Sequence, residues 1–568
     1  MATSKKKKML KKIKFKEYKG YKEAEIDLKP ITILLGANSS GKSSILQLLL
    51  MFEQTLNLDQ KYDSALKLNG KHTNLGETEN IFRNKDTSKN LTFSFDLEPN
   101  RFSSFHQSEI RRIKRNIESE IIDIYYKLRK FEELIENTNI RSIQFKYKDI
   151  NQDNILIVIK EIQSLKRKIS KINFDEKESS IKDLPDSKLF QKRIRYSSNE
   201  IKELLNIPIA EYKDSIQLFD AISEHLLSSF RIEFDINYSK NKKTLIVSRI
   251  SIKSNNIVII EYEKERKSGQ IKHVLNSDIF EKKILNKYRV KFGKNVEFDN
   301  LILSAKDDVP NSARFRKTNI NNEMFCTNIL RLFSVCSFQL KNAFNSNRIN
   351  YISPLRAFPK RYYFLDESNV SSSLDSIDGD NLTEVLKKEK DVSSKVNKWL
   401  NKFDLSVSIE DVKEVIHRLK IKQNGLNLDI TDVGFGISQV LPIIIQGFLS
   451  KKNSLTIIEQ PEIHLHPMMQ AELADLFIDV VNTQEKNNDK VLLIETHSEA
   501  ILKRLRRRIA EGKIKNSDVA IYFIKGRTNK NSSSTIERLP ISETGAFDWP
   551  KEFYSTDYED TTEFLKYQ

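Results

Sequence analysis

Cysteine, glycine and proline are all scarce in this chain of 568 residues, which holds 2, 15 and 12 of them. With Cys326 and Cys336 alone, a disulfide scaffold and a cysteine-based zinc site are excluded. Both lie in an apolar helical stretch and read as buried thiols. Low-complexity disorder is excluded as a description of the whole, because few Gly and Pro stand against 32 Phe and 18 Tyr. No apolar run is long enough to span a membrane. The opening MATSKKKKMLKKIKF has charge without the apolar core of a secretory signal, so a cytoplasmic location and no membrane partner are expected.

What the chain does have is length, charge and periodicity. At about 150 residues per unit, its size suggests roughly three to five units, insertions included. Lys and Arg number 95 against 78 Asp and Glu, a net charge of +17. This excess fits a polyanion partner such as nucleic acid. It fits equally a general bias toward Lys, Ile and Asn. Two basic groups, Lys5–Lys8 with Lys11, Lys12 and Lys14, and Arg504 with Arg506, Arg507 and Arg508, suit nucleic-acid contact or a solvated face alike.

The patterning predicts an α/β chain in four parts. Residues 1–100 hold strands near 11–35, a helix from Ser43 to Leu56 and an alternating strand at 91–97. Residues 101–230 read as a largely helical insertion. Ile110, Ile113, Ile117, Ile121, Ile124, Leu128, Phe131 and Ile135 recur at helical spacing, as do Ile155, Ile159, Ile162, Leu165, Ile169 and Ile172. Two such helices suggest an antiparallel hairpin arm or two surface helices on a core. Residues 231–345 are strand-rich, then helical. Residues 346–568 alternate strands and helices, as in an α/β unit.

The sharpest motif is Gly36-Ala37-Asn38-Ser39-Ser40-Gly41-Lys42-Ser43, the phosphate-loop pattern, between the apolar strand ITILL and a helix. Its glycines let backbone N–H groups curl around phosphate oxygens, and the helix N-terminus adds its positive end. Lys42 is expected to reach the β- and γ-phosphates, and the Ser43 hydroxyl to coordinate Mg²⁺. Gly36, Asn38, Ser39, Gly41, Lys42, Ser43 and Ser44 are thus the expected ATP contacts. Downstream, the strand Leu455–Ile458 ends in Glu459-Gln460-Pro461-Glu462, where a carboxylate would hold the Mg²⁺ shell. The strand Val491–Ile494 ends in Glu495-Thr496-His497-Ser498, and ligands gather at such strand ends. His497 there can reach a γ-phosphate. Asp432-Val433-Gly434-Phe435-Gly436-Ile437-Ser438 before an apolar helix forms another anion-binding corner.

This order of motifs resembles the heads of ABC-type ATPases of the SMC and double-strand-break-repair kind. It is more similar still to the OLD and Septu-type defence ATPases, whose carboxylate strand continues as here in Pro461-Glu462-Ile463-His464-Leu465-His466-Pro467. Leu68-Asn69-Gly70 with Leu75-Gly76, Ser353-Pro354-Leu355-Arg356-Ala357 and Gly545-Ala546-Phe547-Asp548-Trp549-Pro550 match as well. The resemblance covers roughly 10–100 and 345–555; the insertion matches nothing. It implies an ABC-type head with a mixed sheet, using ATP and Mg²⁺, with Ser43 and Glu459 on the metal and Glu459, Gln460, Glu462 and His497 as catalytic residues. Ser438 would act in trans across a homodimer or higher oligomer. The implied role is a switch in anti-phage defence that controls a separate HNH-type nuclease subunit, in a Septu or retron system. Nucleic-acid contact would be with DNA, or with a retron reverse transcriptase and its RNA–DNA hybrid.

Gln460 departs from the usual Asp-Glu ending. Glutamine orients water without accepting its proton, so slow hydrolysis is expected. The pair His464 and His466 is expected beside the ATP site, not on a metal. A break-repair ATPase needs a longer coiled coil with hook cysteines. An OLD-type ATPase-nuclease needs an acidic metal-binding domain, but only roughly seventy residues follow His497. No nuclease activity is therefore expected of this chain. A scaffold that binds ATP with little turnover is the remaining rival, which Gln460 keeps open.

Overall fold

The structure, a computed structural model, describes residues 10–58, 62–98, 104–136, 155–171, 200–225, 229–267, 270–306, 323–356, 358–364, 382–482, 489–529, 532–550 and 562–567. The N-terminal lysines Lys5–Lys8 and Ile172 of the second helical pattern lie outside these.

The chain opens with β1 (Leu10–Tyr18), β2 (Tyr21–Asp27), β3 (Ile31–Leu35), α1 (Lys42–Leu56) and β4 (Leu91–Leu97). Helices α2 (Ser104–Glu136), α3 (Ile155–Ile169) and α4 (Ile209–His225) follow. Next come β5 (Phe230–Ser239), β6 (Thr244–Ser254), β7 (Ile257–Lys267), β8 (Gln270–Asn276), α5 (Lys282–Asn295), β9 (Val296–Asp299), β10 (Ile302–Ala305) and α6 (Met324–Ala343). The last part begins with β11 (Ile349–Ile352), β12 (Tyr363–Phe364), α7 (Leu382–Lys388), α8 (Lys390–Leu400), β13 (Leu405–Lys413), β14 (Ile416–Gln423) and β15 (Leu426–Asp429). It closes with α9 (Phe435–Leu449), β16 (Leu455–Glu459), α10 (Pro467–Asn482), β17 (Val491–Glu495), α11 (Glu499–Ala510), β18 (Val519–Lys525) and β19 (Thr535–Leu539).

Two large sheets carry the fold. The first is a six-stranded mixed sheet, ordered β11-β16-β17-β3-β18-β19, with only β19 antiparallel to its neighbour. Its inner strands β16, β17, β3 and β18 are buried on both faces, as parallel strands covered on both sides must be. Side-chain alternation splits them between two cores. Leu34, Ile349, Ile457 and Leu493 join the core that holds α1 and the second sheet. Ile33, Ile352, Ile458 and Ile494 join the core with α9, α10 and α11.

The second sheet is seven-stranded and antiparallel, ordered β2-β1-β4-β5-β6-β7-β8. Phe93 and Phe95 pair with Phe234 and Ile232 across it, and all four are buried. The segment 1–100 therefore does not close on itself: β3 joins one sheet, while β1, β2 and β4 continue into β5–β8 beyond the inserted helices. Alternation marks a buried face, and the strand that covers it need not be near in sequence. A smaller sheet of β12–β15, also unanticipated, interrupts the α/β alternation after residue 346.

The inserted helices bury the isoleucines expected of them, from Ile110 to Phe131 and from Ile155 to Ile169. The antiparallel hairpin is corrected, however. Glu161 bonds Tyr125, and Lys168 donates to Glu132 at 2.6 Å. Both contacts advance the same way, so α2 and α3 run parallel. It is α4 that lies antiparallel to α2, with Lys114 bonded to Asp220 and the Tyr212 hydroxyl donating to Glu120. Helical spacing shows which face is buried and carries no information on direction. Cys326 and Cys336 are buried free thiols on α6. Among the described residues, no helix is long and apolar enough to cross a membrane.

Candidate functional site

β3 ends at Leu35, and the chain turns through Gly36–Gly41 into α1. Gly36 and Gly41 have φ of 145° and 115°, where side chains are strained. A Cβ on Gly36 would meet the Ile524 carbonyl oxygen at 2.4 Å, and one on Gly41 the Tyr21 hydroxyl at 2.7 Å. Asn38 and Ser39 stand exposed at the crest of the loop, and Ser43 and Ser44 are half-buried in the first turn of α1. Ser40 is buried, and its hydroxyl has no partner. Lys42 is buried too. Its Nζ donates to the carbonyls of Gly36 and Ala37 at 2.9 Å each and lies 3.6 Å from Glu495. Burial pulls its pKa below the usual lysine value, against the pull of the Glu495 charge.

Two carboxylates face this loop. β17 lies between β16 and β3, so Glu459 and Glu495 end neighbouring strands in register, and Glu495 pairs with Leu34. The Ser43 hydroxyl donates to Glu495 Oε2 at 3.1 Å. Thus the carboxylate that contacts both Lys42 and Ser43 is Glu495, which the motif reading passed over in favour of Glu459. The signal was present: LTIIE and VLLIE are both short apolar strands ending in Glu. Burial raises the pKa of both. Glu459 rises to about 7, helped by the Glu495 charge and opposed by a hydrogen bond from the Tyr351 hydroxyl at 2.9 Å.

These oxygens suit Mg²⁺, a hard cation that is held by one or two carboxylates and completed by phosphates and water. Among the described residues no three His, Cys, Asp or Glu gather as a closed metal cage. His464 packs its ring against Phe435, 4.9 Å between centroids, and His466 Nδ1 accepts from the Met468 N–H at 3.3 Å.

The turn after β16 is held from both sides. Gln460 has a left-handed φ of 43°, and its N–H donates to the Glu495 carbonyl at 2.8 Å. Arg356, buried, donates through Nη2 to the carbonyls of Glu459 and Gln460 at 3.0 and 3.1 Å. Its pKa falls to about 10 through burial, with Glu462 opposing. Glu462 was expected to face the reaction beside Gln460. Its charge reaches Lys42, and its carboxylate accepts from Thr496 Oγ1 at 2.8 Å and from the His497 N–H at 2.6 Å, which fixes the turn that carries His497. His497 Nε2 is buried without a partner. Burial and the nearby Lys42 charge lower its pKa, favouring the neutral ring.

Ser438 sits apart from these groups. It is buried in the first turn of α9, and its hydroxyl donates to the Phe435 carbonyl at 2.7 Å. The exposed part of the corner is Asp432, Gly434 and Phe435. Gly436 packs tightly, since a Cβ there would lie 2.7 Å from the His464 carbonyl oxygen.

The remaining motifs brace the framework. Leu75 N–H donates to the Leu68 carbonyl and Gly76 N–H to Asn69, closing a loop that Gln54 of α1 ties down through the Lys67 carbonyl. Arg506 lies over the rings of Phe547 and Trp549 and donates to the Gly545 carbonyl. Arg504 and Arg508 bind Asp475, and Arg507 binds Glu511. Each arginine of this tight group thus has a local partner.

Comparison with solved structures returns SMC heads. The SMC head domain from Thermotoga maritima is 8% identical, with a TM-score of 0.32, covering 94% of this chain and 99% of that one. The Smc head domain of Pyrococcus furiosus, solved with an extended coiled coil and bound to the C-terminal domain of ScpA, is 9% identical at a TM-score of 0.32, covering 94% and 96%. The Smc head domain of Pyrococcus yayanosii, with a coiled coil and joint, is 10% identical at 0.28, covering 94% and 97%. Among curated proteins, none matches the sequence. The family described as AAA ATPase domain matches residues 9–502, from the first described strand to α11. The chain belongs to that family of ATPases.

Proposed function

We propose that the chain is an ATP-binding and ATP-hydrolysing switch that acts as a dimer. The observation that carries this is the meeting of Lys42, Ser43, Glu495 and Glu459 around the ends of β3, β17 and β16, beside a loop with no room for a side chain at Gly36 or Gly41. Lys42 and the backbone N–H groups of the loop bind the phosphates. Ser43, Glu459 and Glu495 would hold Mg²⁺, which would supply positive charge beside the phosphates. Gln460 orients the attacking water, and neutral His497 offers Nε2 to a phosphate oxygen. Because Gln460 does not accept a proton, turnover is slow. A scaffold with almost no turnover is the second reading, and the same residue favours it.

For the dimer, the support is an apolar patch beside the α9 corner. Phe358 and Phe435 pack at 5.3 Å, and Leu355, Phe358 and Phe435 are 86%, 77% and 37% exposed. Contiguous exposed apolar side chains of this kind suit a protein contact. In the dimer the Ser438 helix start faces the partner's phosphate loop. The wider role, control of an HNH-type nuclease subunit in anti-phage defence with nucleic-acid contact, rests on the motif Pro461–Pro467 and its resemblance to the Septu and retron ATPases. The test is calorimetry of ATP binding to Lys42→Ala. A loss of about a hundredfold or more is expected, and unchanged affinity overturns the reading.

A further inference from the structure

Glu459 is gripped twice by residues that no motif of the carboxylate strand contains. Both grips come from β11 and the turn after it. β11 is the edge strand of the mixed sheet, only four residues long, and pairs in parallel with β16. An edge strand this short needs side-chain anchors. On one face Asn350 Nδ2 donates to Thr456 Oγ1 and to Ser450 Oγ, both at 3.2 Å. On the other face, alternation sets Tyr351 beside Ile457, its register partner, and two residues on is Glu459. Hence the Tyr351 hydroxyl meets Glu459 Oε1, at 2.9 Å, while Arg356 holds the Glu459 carbonyl.

The Tyr351 ring is supported from α1 and its loop. The His72 ring stands edge-on to it, 6.4 Å between centroids and 83° between planes. His72 Nε2 lies 4.0 Å from the buried Glu53 of α1. His72 belongs to the Leu68–Gly76 loop, so that motif is joined to the carboxylate strand through Tyr351.

We propose that Tyr351 is a positioning residue for Glu459: its hydroxyl holds one carboxylate oxygen, so that the other is presented to the divalent cation that accompanies the nucleotide. The inference rests on the nucleotide reading above. A carboxylate turns about a single bond, and next to Glu495 it is repelled by a like charge. A fixed donor on Oε1 removes that freedom. His72 holds the donor in place.

The test uses the full chain with Mn²⁺ as the probe, read by electron paramagnetic resonance in the presence of a non-hydrolysable ATP analogue. Tyr351→Phe keeps the ring and removes the donor. Mn²⁺ affinity is expected to fall about tenfold, as for loss of a hydrogen bond to a charged group. Binding of the analogue in EDTA should stay within about twofold of the parent. His72→Ala should weaken Mn²⁺ by about two- to threefold and His72→Phe, which keeps a ring there, by less. If Tyr351→Phe binds Mn²⁺ as the parent does, the proposal is overturned and the nucleotide reading stands. Loss of analogue binding in EDTA also overturns it, because Tyr351 then supports the whole site. A parent that binds neither analogue nor Mn²⁺ overturns both readings.

Discussion

Glu495 and Glu459 end adjacent parallel strands in register, and it is Glu495 that accepts the Ser43 hydroxyl, at 3.1 Å. The side chain one strand closer to the phosphate loop thus belongs to the same oxygen cluster as the motif carboxylate.

Glu495→Gln keeps the shape and removes one negative charge beside Lys42. Without Mg²⁺, ATP affinity should rise a few-fold, since a like charge near the phosphates is gone. With Mg²⁺, turnover should fall at least about tenfold. Phosphate release and calorimetry with and without Mg²⁺ decide it. Unaltered Mg²⁺-dependent turnover would remove Glu495 from the metal shell.

Gln460→Glu should speed hydrolysis by about tenfold or more, because a carboxylate accepts a proton from water. The turn tolerates the change: its left-handed backbone is held by Arg356 and by the Glu495 carbonyl, not by the Gln460 side chain. Equal single-turnover rates for the two chains would mean that another group orients the water.

Gly434→Arg probes the dimer without disturbing the fold. Nothing lies within 4 Å of a Cβ at Gly434. The added side chain therefore projects from the corner into the surface proposed to meet the partner. ATPase activity should be lost while ATP affinity remains. Mixing with Lys42→Ala chains should restore one intact composite site out of two. No recovery, with mixed dimers confirmed by mass, argues for a site made within one chain.

Asp475 receives Arg504 and Arg508, which hold its pKa below the usual carboxylate value against the opposing effect of burial. A depressed folded pKa contributes stability above the unfolded value, near 4, and loses it as pH falls through the folded value. Asp475→Asn should thus cost about 2 kcal/mol at pH 7, by leaving two part-buried cations without their shared anion. The gap to the parent should narrow below about pH 4. Urea melts at pH 7 and pH 3 measure this; an equal gap at both would mean that the ionised carboxylate contributes nothing.

The phosphate loop, the carboxylate strand and the strand-end His497 were readable in one dimension, because each is a local pattern: glycines at fixed offsets, or a short apolar run with a polar end. The same holds for the inserted helices, whose buried isoleucines follow from 3.6-residue spacing. Alternation likewise assigned faces to β5, with Phe230, Ile232, Phe234 and Ile236 all buried. Which strand lies beside which was not readable. Placing β17 between β16 and β3 made Glu495 the neighbour of Ser43, and pairing β11 with β16 put Tyr351 on Glu459. The parallel course of α2 and α3, the joining of β1, β2 and β4 to β5–β8, and the pairing of Arg504 and Arg508 with Asp475 are of the same kind. Periodicity in a sequence tells which face of an element leaves water. What covers that face, and in which direction it runs, is decided by packing between segments far apart in the chain, so the tertiary structure alone determined those contacts.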